Sequence, residues 1–162
     1  IPYTVEVGAP KQWGYCRRAP GGCQAQMLAF SEAFIDSGKA FGVDPYLLAA
    51  VAWEESRLNP GAMGAGGELG VMQLHPSRKD ARATAMYRNR EACLKKAGAC
   101  QAEVIATAAA ILRLSIDKCH GDIPGGLWLY HTGQRRCIES RYSRRVLKVR
   151  DEFVRLAGGS AS

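Results

Sequence analysis

Residues 51–58 read VAWEESRL, an apolar run that ends on two adjacent carboxylates, Glu54 and Glu55. At about 100° per residue, counted from Leu48, Glu55 falls near ~340° and Glu54 near ~240°, while the apolar face of Leu47, Leu48, Val51 and Ala52 centres at roughly 330°. Glu55 therefore lies inside the apolar face and Glu54 on its edge. An ionised carboxylate on an apolar face is unfavourable unless it meets a cation. A carboxyl that keeps its proton there has the chemistry of a general acid. The same position also suits a structural acid paired with Arg57 or with a buried backbone group. Glu54 is expected to be solvated.

The elements that must hold these acids are helical. Asp44-Pro45 supplies an N-cap and a proline at the first helical position, so a helix is expected from about Pro45 to Arg57, stopping before Asn59-Pro60. An earlier helix is expected over about Gln24–Ala40, with Met27, Leu28, Ser31, Phe34 and Ile35 at helical spacing, ended by Gly42. Residues 61–70 hold five glycines and read as a loop. Val71–Leu74 is expected to be short and extended or a single turn, and Pro76–Arg90 a helix. Ala102–Lys118 is a further helix with Ile105, Ala108, Ile111, Leu112 and Ser115 on one face. Pro124–His131 and Ser140–Leu156 complete a mainly α chain. Residues 1–23 read as an irregular segment with a possible strand at Tyr3–Val7, residues 24–157 as one domain, and 158–162 as a flexible tail.

Several of these stretches together carry a resemblance. Glu55-Ser56-x-x-Asn59-Pro60, the glycine-rich loop, and Gly70-Val71-Met72-Gln73-Leu74-x-Pro76 resemble the soluble-type (SLT) lytic transglycosylases, whose signature is ES-x-x-NP followed by G-L-M-Q-x-x-P. Tyr130-His131-x-Gly133 resembles their later Y-N-x-G element, and Tyr142–Leu147 their closing tyrosine-bearing helix. The likeness spans about Ala40 to Leu156 and implies a lysozyme-like domain of two lobes around a substrate groove. It implies that Glu55 is the catalytic acid and that the substrate is the peptidoglycan glycan strand, cut between N-acetylmuramic acid and N-acetylglucosamine with closure of a 1,6-anhydro ring. No cofactor and no metal are implied.

The resemblance places Met72 and Gln73 on the groove wall, Gln73 with an amide that both donates and accepts. Tyr130 matches a tyrosine near the reacting centre, though a core tyrosine bonded to backbone has the same pattern. Ser56 matches the family serine but can also bond its own helix. His131 stands where Asn is usual and brings a titratable ring. Glu139 lies in a stretch like the family's E-T-x-x-Y, one residue shorter. Glu68 occupies a loop position where relatives carry a small residue. It reads either as a solvated acid or as a second carboxylate across the groove, which would make the protein a hydrolytic muramidase.

The bulk properties agree with a wall-directed protein. The 162 residues, 47% hydrophobic, suffice for one domain with a core. Six cysteines without zinc-ligand spacing argue for disulfides, hence a periplasmic or secreted location. Of the roughly 15 connectivities six cysteines allow, local closure favours Cys16–Cys23, Cys93–Cys100 and Cys119–Cys137. No run approaches about 18 consecutive apolar residues, so no membrane span is expected. The first residue, Ile1, follows no charged-then-apolar leader, which suggests a processed or trimmed form. The net charge of +7 favours polyanions. No nucleic-acid recognition motif accompanies it, so wall polymer is the expected partner, and the protein is expected to be a monomer. Compact relatives serve secretion or conjugation machines or phages, which makes components of such a machine further possible partners. A non-catalytic wall-binding adaptor is the reading from a different class. Arg141, Arg144, Arg145, Lys148 and Arg155 fall near one face of the last helix, as a solvated face or a docking surface.

Overall fold

The computed structural model describes residues 16, 19–96 and 98–158. The expected strand at Tyr3–Val7 and most of the tail lie outside the described residues. Eight helices are described: α1 Gly22–Phe41, α2 Pro45–Ser56, α3 Lys79–Arg82, α4 Ala85–Arg88, α5 Arg90–Leu94, α6 Ala99–Lys118, α7 Ile123–Thr132 and α8 Arg141–Leu156. No strand longer than a single bridge occurs among the described residues.

The α2 helix, which bears both glutamates, starts as its sequence dictates. Asp44 accepts from the Tyr46 amide at 2.9 Å, and Pro45 occupies the first turn. Leu47 to Ala52 are all buried, so α2 is the hydrophobic centre of the domain. It ends abruptly, because Arg57 and Leu58 both adopt left-handed backbone, φ 54° and 62°. Such conformations cost a non-glycine residue about 1 kcal/mol or more each. Burying Leu58 completely in the core offsets that cost.

Helix α8 packs antiparallel along α2 and seals it. Arg150 reaches Asp44 at the start of α2 (3.4 Å) and Arg145 reaches Glu54 at its end (3.2 Å). Trp53 of α2 also meets Phe153 of α8 edge-on, with ring centroids 6.3 Å apart. Helix α6 packs on α1 and α7. By length and composition α6 could cross a membrane, yet Val104, Ile105, Ala108, Leu112 and Ile116 are buried within the protein as core. Its contact with α7 is unusually close. A Cβ on Gly126 would stand 2.7 Å from the Ile116 Cα, so glycine is required there.

Three disulfides join the cysteines as local closure suggests: Cys16–Cys23, Cys93–Cys100 and Cys119–Cys137, with Cα separations of 4.6, 5.4 and 5.5 Å. Two expectations need correction. The single helix expected over Pro76–Arg90 is instead the short turns α3 and α4, followed by α5. Thr84 takes extended backbone and Asn89 a non-helical one, which interrupt it, and Asn89 caps α5 by accepting from the Ala92 amide at 3.1 Å. On α1, Leu28 and Ile35 are exposed, while Phe30 joins Met27, Ser31 and Phe34 inside. The buried stripe is thus rotated from the one expected.

Candidate active site

Glu55 occupies the last turn of α2, in the wall of a cleft of about 320 Å³. That volume is at the lower end of small-molecule sites. The same cleft is lined by Glu54, Glu68, Gln73, Leu74, His75, Arg78, Tyr130 and His131. The Glu55 side chain is only 10% exposed, as its place on the apolar face requires. Two acids at a helix C-terminus stand on the unfavourable end of the helix dipole. His131, at the end of α7, brings Nδ1 to 3.1 Å from Glu55 Oε1.

Glu54 is not solvated. Its side chain is 9% exposed and sits between Arg57 (3.5 Å) and Arg145 (3.2 Å). The sequence neighbourhood supplied only Arg57. Arg145 arrives from α8, 91 residues away.

Two tyrosines close around Glu55. Tyr130 is buried and donates to the Met72 carbonyl at 3.0 Å, so its hydroxyl ties α7 to the Gly70–Leu74 turn. Burial, then the Glu55 charge, raises the Tyr130 hydroxyl far above its ordinary value. Tyr142 of α8 stacks flat on the His131 ring, with centroids 3.9 Å apart and planes at 10°. Its buried hydroxyl makes no hydrogen bond of normal geometry. Burial, then the charge of nearby Glu55, pushes it well above the ordinary phenol value, and Glu55 also acts on it as an off-geometry acceptor. Both hydroxyls therefore keep their protons at neutral pH and remain donors.

The opposite wall comes from the glycine-rich loop and the turn after it. Single bridges Met63–Leu69 and Leu69–Leu74 fold this segment back on itself. Gln73 takes a left-handed conformation, φ 47°, held by its own amide, which donates to Gly70 O (2.9 Å) and Ala62 O (3.2 Å). Both amide hydrogens are thus committed, and Oε1 is left to accept from a ligand. Glu68 accepts from the Gly66 amide at 2.9 Å, and its other oxygen lies 4.0 Å from His75 Nε2. A Cβ on Gly64 would stand 2.2 Å from Glu68 Oε2 and 2.7 Å from Gln73 Oε1, so these two oxygens converge on one spot.

The structure thus brings Glu55, Glu68, Gln73, Tyr130 and His131 to one cleft. It does not bring Met72 there. That side chain is completely buried, because the turn through Gln73 sends Met72 into the core and offers only its carbonyl, to Tyr130. Ser56 is a strut: its hydroxyl lies 2.7 Å from Val71 O and 3.0 Å from Ala52 O, joining α2 to the turn. Glu139 is exposed beside α8, outside this cleft. His75 and Arg78 belong to the cleft without having been singled out from the sequence. Buried Leu74 between Gln73 and His75 is the alternation that could have placed His75.

The model of the transglycosylase SLT domain family matches residues 32–150. The chain belongs to that family. No curated protein matches it at a significant level. Membership makes this SLT domain lysozyme-like, with a lytic transglycosylase-type, peptidoglycan-acting function at the level of the family. The matched segment contains every residue lining the cleft, from Glu54 to His131. The three disulfides fit an extracytoplasmic location.

Proposed function

We propose that the protein is a lytic transglycosylase that cuts the β-1,4 bond between N-acetylmuramic acid and N-acetylglucosamine with Glu55 as both acid and base. The observation that carries this reading is a nearly buried carboxyl on the wall of an open cleft, with the His131 ring and the Tyr142 hydroxyl beside it. Glu55 gives its proton to the leaving glycosidic oxygen as the C1–O bond breaks. The substrate's own N-acetyl carbonyl stabilises the sugar cation, a substrate-assisted course that needs no second carboxylate. The Glu55 carboxylate then takes the proton of the muramoyl 6-hydroxyl, whose oxygen closes on C1. The acid is regenerated and water is not consumed. The Tyr142 hydroxyl, which has Glu55 as its nearby acceptor, is suited to steady the Glu55 carboxylate between the two transfers. The free Gln73 oxygen is suited to an N-acetyl N–H. The setting would be the periplasm or the cell exterior, where opening the wall serves a secretion or conjugation machine. Incubating purified sacculi with the protein tests the reading: soluble muropeptides should be released, whereas binding without release would make the protein an adaptor.

One observation favours a second reading of the chemistry. Glu68 lines the same cleft as Glu55, held there by the Gly66 amide and His75. An ionised Glu68 would stabilise positive charge on the sugar and could hold a hydrolytic water. Glu68→Gln should then lower turnover by more than about tenfold, measured as initial muropeptide release. Wild-type kinetics in folded Glu68→Gln protein would remove Glu68 from the chemistry.

A further inference from the structure

Arg78 brings to the cleft a permanent positive charge that acid catalysis on a neutral glycosidic bond does not use. His131 faces Glu55 and His75 faces Glu68, and Arg57 and Arg145 are taken up by Glu54. Arg78, in the turn before α3, is half-buried, lines the cleft with His75 and Tyr130, and has no acidic partner among the described residues. Among the described residues its guanidinium makes one hydrogen bond, from Nη2 to the Tyr130 carbonyl at 3.3 Å, in the last turn of α7. A guanidinium carries five N–H donors in a planar fork matched to a carboxylate. Most of that capacity is uncommitted. Capping α7 would use one donor and would not require the side chain to line the cleft.

We propose that Arg78 is the anion-recognising residue of the cleft and binds a carboxylate carried by the substrate. This rests on the reading of the cleft as a glycan-cleaving site. On such a glycan the muramoyl unit carries the acidic groups, either on its stem peptide or, where the peptide is missing, on the lactyl ether itself. Glu68 disfavours an anion elsewhere in the cleft, so the carboxylate is directed toward Arg78. The chain's +7 charge draws the polyanionic strand in, and Arg78 fixes its register. The protein therefore selects carboxylate-bearing glycan over neutral glycan of the same length.

The test compares three soluble strands: one with intact stem peptides, one stripped by an amidase so that only lactyl carboxylates remain, and one with every carboxylate converted to a neutral amide. kcat/KM is measured for the wild type and for Arg78→Gln, which keeps a donor for the Tyr130 carbonyl. Binding is measured separately with Glu55→Gln protein, with and without Arg78→Gln, so the outcome does not depend on turnover. The wild type should lose about tenfold to a hundredfold in both readouts between intact and amidated strands. Arg78→Gln should be indifferent to that change. Arg78→Lys, which keeps the charge without the fork, should fall between. A preference retained on stripped strands assigns the lactyl carboxylate, and one lost there assigns the stem peptide. Equal binding of intact and amidated strands overturns the proposal, as does Arg78→Gln slowing both strands alike, the mark of a helix cap alone. A charge preference in binding with no cleavage of any strand would refute the glycan-cleaving reading and leave Arg78 as the anion site.

Discussion

Glu55→Gln is expected to fold normally and to lose about 10²–10⁴ in muropeptide release, the usual contribution of general acid catalysis. Gln preserves the size of the side chain and a hydrogen bond to His131 but has no proton to transfer. Nearly buried beside the cleft, Glu55 has little solvent to substitute for it. Its neighbour supplies the control. Glu54 lines the same cleft, yet its carboxylate is spent on Arg57 and Arg145, which pin α8 to the end of α2. Glu54→Gln should therefore lower the melting temperature while leaving most of the activity. Both arginines are about half exposed, so the loss is about 1 kcal/mol rather than the value for a fully buried pair. Release rates and thermal melts on the two variants decide between them. Equal loss of activity in two folded proteins would mean that Glu55 is not the distinguished acid.

The second large effect concerns the Cys119–Cys137 bridge. Cys119 closes the C-terminus of α6, and Cys137 lies in the exposed run Gln134–Glu139 that leads into α8. That run carries little other support: Arg136 bonds back to Gln134, and Cys137 packs against the first turn of α7, where a Cβ on Gly125 would be 3.0 Å from the Cys137 Cβ. The bridge spans 18 residues. Removing it as Cys119→Ala/Cys137→Ala should cost about 3 kcal/mol by loop entropy. For a chain of this size that is a fall of roughly 6–12 °C in melting temperature. Because α8 carries Tyr142 against His131, activity at elevated temperature should fall with it. An unchanged melting temperature would mean that the α7–α8 connection is held by packing alone.

What the sequence made legible follows the range of the interactions involved. The helices α1, α2, α6, α7 and α8 are local objects. Asp44 caps α2 where the sequence places it, and α7 and α8, capped by Asp122 and Ser140, start one residue from the expected positions. The placement of Glu55 inside the apolar face is likewise a property of one helix. The disulfides close short loops and could be paired by proximity in the chain. Glu54 was misplaced because its environment is made by Arg145, on a helix that reaches it only after the whole fold is assembled. Met72 was misplaced because the turn at Gln73 depends on carbonyls at Gly70 and Ala62, whose positions no periodicity encodes. Arg78 has an unremarkable surface sequence context, and only the approach of Tyr130 from α7 places it in the cleft.

The central claim is that Glu55 alone carries the proton both ways, so that bond breaking ends in ring closure. Mass spectrometry of the muropeptides released from purified sacculi tests it most directly. The wild type, and not Glu55→Gln, should release products whose muramoyl end is the 1,6-anhydro sugar, one water lighter than the hydrolysis product. Hydrated muramoyl ends as the primary product would contradict it and point to water held by Glu68.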